Sequence, residues 1–496
     1  MKIAIVGAGI GGLSAYIALH KHLVRAHGKQ CTVKIFEAYD VQKKRYDPPG
    51  AEALEAGEVE SLFTPKVIGN AIGIGKNGLA VIRRLDDSGD LLHRIHASGN
   101  AISKWRMGTA RGWRIVDANV QGSDNDGEND AANTIMVARQ AAWEILRDEV
   151  IRIDRDAVIK KKLCKIDASS DDSVYVSFDD GSEDTCDLLI GADGLHSVVR
   201  RTMFAEYHDY NPRTWIDVLL LRQSHRKDYI TPQYEGLTGL GGFIPASVLK
   251  HVGYEPGAMS ITFGPNGFFG HGYIGPVDKI TDDDAPLAAW WSTFSSENPR
   301  PYSKDSNGTS TGLKTSFDRE AALHELVERH SSWTDPAIRQ IVSYVEKHKV
   351  VEHMYPTYTT PELPIWKLGK NIVLLGDAAH AIQPSSGQGA CQALEDSEAL
   401  ALLLKHYLHS EMNLAQKDAI GRALDKYVQL RKPRLAKIYT QSQKMSRRKM
   451  NLNVVEEWLM YLILWLSVKL QTWKKYNDEL FEYDLPAEVE KIVRND

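Results

Sequence analysis

The chain opens on a short, β-branched apolar run, Lys2-Ile3-Ala4-Ile5-Val6, the pattern of a strand buried on both faces. A glycine-rich hexapeptide, Gly7 to Gly12, follows at once. Leu13 to Leu19 then carries small and apolar residues at helical spacing, and Thr32 to Phe36 reads as a second strand ending on Glu37. Further along, alternation predicts a hairpin over 102–116. A strand over 174–178 turns at Asp180-Gly181 into another that runs to Ile190. The region from Tyr210 to about Tyr273 is β-like and rich in Gly, Pro and aromatics, and Asn371 to Leu375 is again a buried strand. Helices are expected over 79–85, 141–150, 319–328 and 336–348, with a long one starting near Gly389. Polar stretches at 38–65, 121–133 and 303–315 read as loops.

This order predicts an α/β (α+β) protein: a Rossmann-like nucleotide-binding domain, a second β-sheet domain, and C-terminal helices. The expected boundaries are 1–205 together with 350–445, then 206–349, then 446–496.

The first βαβ unit carries the clearest chemistry. Gly7, Gly9 and Gly12 spell G-x-G-x-x-G between a strand and a helix. Gly7 permits the tight turn, Gly9 lets a pyrophosphate approach the backbone, and Gly12 lets helix and sheet pack closely. The helix N-terminus offers free N–H groups to phosphates, and Glu37 is placed to accept hydrogen bonds from ribose hydroxyls. A second G-x-G-x-x-G, Gly73 to Gly78, lacks a good preceding strand and a following β–acid unit. It is therefore expected to allow a close backbone approach and not to build a second nucleotide fold. Two aspartates, Asp193 and Asp377, sit just past buried strands, where α/β sheets bind ligands. After Asp377, Pro384 to Ala390 is another glycine loop opening a helix.

Composition narrows the classes without choosing among them. At 496 residues, 43% hydrophobic and 25% charged, the chain is an ordinary globular protein, and its net charge of −5 argues against nucleic acid as partner. Cys31, Cys164, Cys186 and Cys391 share no metal-ligand spacing and read as reduced thiols, so a cytoplasmic location is expected. His380 has no second ligand at metal-binding spacing, so no metal is expected. The longest apolar run, 458–468, is too short to span a bilayer.

Taken in order, GAGIGG with Glu37, then Arg139, Gly191-Ala192-Asp193-Gly194, and Gly376-Asp377-Ala378-Ala379-His380 with Pro384 and Gly387-Gln388-Gly389, resemble the group A FAD-dependent aromatic-ring monooxygenases, nearest the fungal salicylate-hydroxylase-like branch. The resemblance implies that Gly7, Gly9 and Gly12 hold the FAD pyrophosphate and Glu37 the adenosine ribose. It implies that Arg139 contacts the ribityl–phosphate region, that Asp193 serves FAD and NAD(P)H, and that Asp377 binds the ribityl chain. Gly389 and Ala390, in the loop 387–390, would lie against the flavin ring. Arg431-Lys432-Pro433-Arg434 matches the family's R-x-P-R. Cys391 and Lys76 depart from the residues common in the family, Asn and Pro. The implied chemistry is the cofactor's: NAD(P)H, a transient co-substrate, reduces FAD, and O2 gives a flavin hydroperoxide whose distal oxygen passes to an electron-rich ring. The implied function is hydroxylation or epoxidation of an aromatic or polyketide-like small molecule, as in secondary metabolism. The expected polar contacts to the substrate are Arg222 and Tyr273, with His271 as a further candidate. A flavin-dependent halogenase is the lower-ranked alternative, because W-x-W-x-I-P is absent; a non-catalytic FAD-binding protein is the other.

The segment 454–481 places Trp458, Leu459, Leu462, Ile463, Leu466 and Leu470 at helical spacing. It is expected to pack on the body of the protein or on a second subunit of a homodimer. Membrane-surface attachment, with Lys469, Lys474 and Lys475 beside the tryptophans, is the rival reading.

Overall fold

The computed structural model describes residues 1–25, 31–41, 69–119, 134–168, 173–205, 227–275, 287–299, 317–409, 414–447, 452–470 and 472–496. Its central sheet has six strands in the order Lys367–Leu368, Ile372–Leu374, Leu188–Gly191, Lys2–Val6, Thr32–Glu37, Val158–Lys160. All neighbours run parallel except the antiparallel edge pair 367–368 with 372–374. Parallel strands must be covered on both faces, and those of 2–6, 188–191 and 372–374 are buried almost end to end. The helices Ile10–Leu19 and Gly389–Leu408 cross one another on this sheet. They are pinned by a 2.8 Å hydrogen bond between the hydroxyls of Ser14 and Ser397.

Because these strands are parallel and in register (Val6 opposite Gly191, Gly191 opposite Leu374), their carboxyl ends lie side by side. Gly7, Asp193, Asp377 and Glu37 are thereby brought to one edge. The strand expected to run on to Ile190 is two strands in the structure. Glu183–Cys186 pairs with Val174–Phe178 in a small outlying sheet, and Leu188–Gly191 crosses into the central sheet beside the first strand.

A second sheet of seven strands has the order His353–Thr359, Gln233–Pro245, Leu287–Ser295, Gly267–Tyr273, Ala258–Gly264, Lys104–Thr109, Arg114–Asn119. The strands 104–119 and 353–359 lie outside the expected 206–349 domain, so this sheet is assembled from three separate parts of the chain. The hairpin expected over 102–116 is the pair 104–109 and 114–119. One face of the sheet is covered by the helices Arg319–His330 and Pro336–His348, through Phe269, Trp290, Leu326, Ile338 and Ile341. A three-stranded antiparallel sheet, Ala71–Gly75, Thr134–Ala138 and Gly99–Ala101, lies against the other face, with Met136 meeting Gly272 and Asn70 meeting Gly241.

The second glycine motif lies within this antiparallel sheet. Gly73 and Gly75 belong to the strand 71–75, and Gly78 lies in the helix Lys76–Leu85 that follows. No parallel βαβ unit is formed there. Two of its glycines have a packing reason: a Cβ on Gly78 would lie 2.9 Å from the Cys391 Sγ, and one on Gly75 would strike the Phe481 ring. Among the described residues the cysteines are free, no group of His, Cys, Asp or Glu forms a metal site, and no helix is long and apolar enough to cross a membrane.

Candidate functional site

At the first turn, Gly7 has φ +102°, and a Cβ there would lie 2.5 Å from the Ala192 carbonyl oxygen. A Cβ on Gly12 would lie 1.9 Å from the Gly7 carbonyl oxygen, so both positions demand glycine. Gly9 differs. Nothing lies within 4 Å of where its Cβ would be, so the backbone faces open space at the start of a helix. The same holds for Gly387 and Gly389 at the start of the helix 389–408. At both helix starts a ligand can approach bare backbone N–H groups.

Around this edge the carboxylates divide into two kinds. Glu37 accepts the Ala8 N–H at 2.7 Å and the Tyr39 N–H at 3.0 Å, which fixes it beside the first glycine turn with lone pairs to spare. Asp193 is turned inward. It accepts from the Ser197 hydroxyl at 2.5 Å and from the N–H groups of Val198 and Val199 at 2.6 and 3.2 Å, and so caps the helix Val198–Ala205. Burial nonetheless lifts its carboxyl above the ordinary range, the three hydrogen bonds pulling the other way. Asp377 is exposed, and its carboxylate has no hydrogen-bond partner among the described residues. Arg139 is also exposed, with its side chain lying over Gly69, and it begins the helix Arg139–Ile153. The Trp143 indole, one turn on, donates to the Ala8 carbonyl at 2.6 Å and holds the glycine turn from below.

Beneath the second glycine loop lies a buried ionic network that the sequence reading did not anticipate. Glu395 and Asp396, adjacent on the helix 389–408, meet Arg431 and Arg434 of the helix Gln416–Arg447. Arg434 grips Glu395 with both arms, at 2.7 and 2.8 Å. Asn77 donates to Glu395 at 2.6 Å and to Gln388 at 3.0 Å, tying in the helix that follows the second glycine motif. Asp396 also accepts the Gly376 N–H at 2.9 Å and meets the His380 Nε2 at 2.5 Å. Burial alone would raise the Asp396 carboxyl, but the His380 ring and the Arg431 guanidinium hold it down at about 2. The available signal was the adjacent acids Glu395 and Asp396 on a largely buried helix, matched to R-x-P-R downstream.

Residues directly opposite one another on neighbouring strands share a sheet face. Phe269, His271 and Tyr273 therefore lie with Ser292, Trp290 and Ala288, towards the helices 319–330 and 336–348. Tyr273, expected as a substrate contact, is 1% exposed, and its hydroxyl reaches the Tyr254 carbonyl. His271 is equally buried, and burial holds its ring down at about 4, hence neutral near pH 7. Arg222 lies outside the described residues. The opposite face presents Gly239, Gly241, Gly270 and Gly272, with the Tyr355 ring lying over Gly239 and the Trp291 indole over Gly270. This is the face that meets Asn70 and Met136, and both aromatics are only half-buried. A cavity of about 450 Å³ lined by Lys21, His22 and Arg84 lies at the other end of the first helix from Gly9 and belongs to neither glycine loop.

The residues present fit a dinucleotide with an extended polyol: two open backbone cradles, a fixed acid and a free acid along one edge of the sheet. Comparison with known proteins agrees. Residues 365–442 match the FAD binding domain family. The chain is 25% identical over 442 residues to the salicylate hydroxylase of Pseudomonas putida, across 88% of this chain and 83% of that one. It is 24% identical over 444 residues to the chloroplastic zeaxanthin epoxidase of Spinacia oleracea, across 88% of this chain but only 53% of that longer protein. A solved salicylate hydroxylase substrate complex superposes with a TM-score of 0.65 at 18% identity, covering 99% of this chain and 98% of the other. The chain carries a FAD binding domain and is similar in sequence and fold to the FAD-dependent aromatic-ring monooxygenases.

Proposed function

We propose that this protein is a FAD-dependent monooxygenase that consumes NAD(P)H and O2 to hydroxylate or epoxidise an aromatic small molecule. The observation that carries this reading is the meeting, at one sheet edge, of two bare glycine cradles and the free carboxylate of Asp377; a separate sheet face paved with glycine and two flat aromatic rings supports it.

In this reading Gly7, Gly9 and Gly12 hold the pyrophosphate of FAD, Glu37 the adenosine ribose, Arg139 the phosphate side and Asp377 the ribityl hydroxyls. Gly389 and Ala390 place helix N–H groups against the electron-rich end of the ring system. Bound FAD supplies the redox chemistry and the activation of O2. The protein's part is to exclude water and to hold the substrate ring flat. Trp291 and Tyr355 suit the second task, since each lies over a glycine and leaves a planar apolar surface. Burial pushes the Tyr355 hydroxyl up to about 12, so it stays protonated and can donate a hydrogen bond to a phenolic oxygen. Asp193 supports the site indirectly, by capping the helix 198–205. NAD(P)H is a transient co-substrate with no nucleotide fold of its own.

The reading is tested by purifying the yellow protein, screening aromatic phenols and related ring systems, and following NAD(P)H consumption. Substrate-stimulated oxidation with a product heavier by one oxygen is the expected result. A FAD-bound protein whose NAD(P)H oxidation no aromatic compound stimulates would contradict it.

A further inference from the structure

The helix Val454–Lys469 has an unusual outer face. Its inner stripe, Glu457, Met460, Tyr461 and Leu464, is buried against Met107, Phe263 and Phe268 of the seven-stranded sheet. The attachment is firm. The Tyr461 hydroxyl donates to the Phe263 carbonyl at 3.1 Å, and Arg111 holds the buried Glu457 with both arms, at 3.1 and 2.8 Å. At the helix start Asn453 and Glu456 form a reciprocal cap. The orientation is thus fixed within one molecule, and a soluble helix so fixed ordinarily turns polar residues outward. Here Trp458, Leu459, Leu462, Ile463, Trp465 and Leu466 face outward, each 39–53% exposed, with Val455 at 77% and Leu470 at 70% towards the two ends. Trp113 of the adjoining hairpin, 55% exposed, stacks edge-on to Trp458 and widens the patch. An apolar patch of this extent marks a contact surface.

Charge decides among occupants. From Gln441 to Asn477 the sequence holds seven Lys and Arg and only two acids, Glu456 and Glu457, in a chain whose net charge is −5. Of those two acids Glu457 is buried and paired with Arg111. Beyond Glu457 no acid occurs until Asp478, while Lys469, Lys474 and Lys475 intervene. A two-fold dimer on this helix would bring two such cationic segments together. An anionic lipid surface complements both the apolar stripe and its cationic flanks.

We propose that the outer face of the helix 454–469 docks this protein on an anionic membrane surface, lying flat in the interface without crossing it. The docking does not depend on the reaction proposed above. It does place the substrate-side face of the seven-stranded sheet next to the lipid, since the helix packs on that face through Phe263 and Phe268, opposite Thr293 in the register that also carries Gly239.

The test is co-flotation of the full-length flavoprotein with vesicles of phosphatidylcholine containing phosphatidylserine, and with phosphatidylcholine alone. Recovery is expected to be on the order of tenfold higher with the anionic vesicles and to fall as salt is raised. The triple variant Leu459→Glu, Leu462→Glu, Leu466→Glu should lose flotation while retaining FAD absorbance. Lys469→Glu with Lys475→Glu, which leaves the apolar stripe intact, should weaken it separately. Wild-type tryptophan emission should shift to the blue on anionic vesicles, a reading that needs no variant. Failure to float with either vesicle, equal binding to both, or a wild-type dimer in sedimentation that Leu462→Glu splits would each overturn the proposal.

Discussion

Arg431 donates from Nε to the Oδ1 of Asp396 at 2.8 Å, across two helices, with both side chains fully buried. The same carboxylate holds the Gly376 N–H and the His380 ring, so one buried acid fixes the turn from which Asp377 projects. The Glu395 beside it holds Asn77 and Arg434 and, through Asn77, reaches Gln388 in the glycine loop. The network is therefore the frame of the loops proposed to hold FAD and touches no reacting atom in the proposed mechanism.

Removing one partner from such a pair leaves a buried charge uncompensated. Arg431→Met should destabilise the protein by about 3–5 kcal/mol. The conservative Arg431→Lys should restore only part of this, because Lys cannot reproduce the guanidinium's planar fork. Chemical denaturation of both variants measures the effect, and a loss below about 1 kcal/mol for Arg431→Met would remove the network from the frame.

The two strand-end aspartates should separate cleanly. Asp377→Ala removes a free carboxylate and should weaken FAD about ten- to a hundredfold, from the loss of about 1.5–3 kcal/mol of charge-assisted hydrogen bonding, with apoprotein stability unchanged. Asp193→Ala removes a helix cap and should cost about 0.5–2 kcal/mol of stability even without FAD. FAD titration and apoprotein melting on both variants check the division.

Gly270→Ala tests the aromatic wall. Its Cβ would lie 2.2 Å from the Trp291 indole, so the ring must move. Turnover of the true substrate should fall on the order of ten- to a hundredfold while bound FAD stays unchanged. Unaltered turnover would place the substrate elsewhere.

Glu352 sets a pH dependence. Burial pushes its carboxyl up from 4.5 to about 8, while burial holds the neighbouring His353 down at about 4, so both are neutral near pH 7. In the unfolded chain Glu352 releases its proton near 4.5, whereas the folded protein keeps it until about 8. The folded state thus binds more protons between these values. This contribution is complete below about 4.5 and is lost as pH rises to 8. Glu352→Gln should flatten that slope in melting measurements between these limits, and an unchanged slope would assign it to other groups.

Much of this was legible in the sequence, for identifiable reasons. Gly7 and Gly12 could be read because the tight turn and the close packing of helix on strand each demand glycine at a fixed offset. Gly73 to Gly78 could be set aside because it lacked that context, and its strand proves antiparallel. The face of Tyr273 could not be read. Alternation puts Phe269, His271 and Tyr273 on one side, but which side meets the cofactor depends on how two distant sheets dock. Glu395 and Asn77 were passed over because their partners lie about forty residues or more away on other helices. The apolar spacing at 458–470 was correctly helical, yet spacing alone could not show that the exposed face is itself apolar.

The most direct measurement is the mass of the product formed by the purified flavoprotein with NAD(P)H under 18O2. One labelled oxygen atom in the product, with NAD(P)H consumed in step, is the predicted result. A product labelled only from water, or NAD(P)H consumed with peroxide release and no oxygenated product from any aromatic substrate tried, would contradict the account.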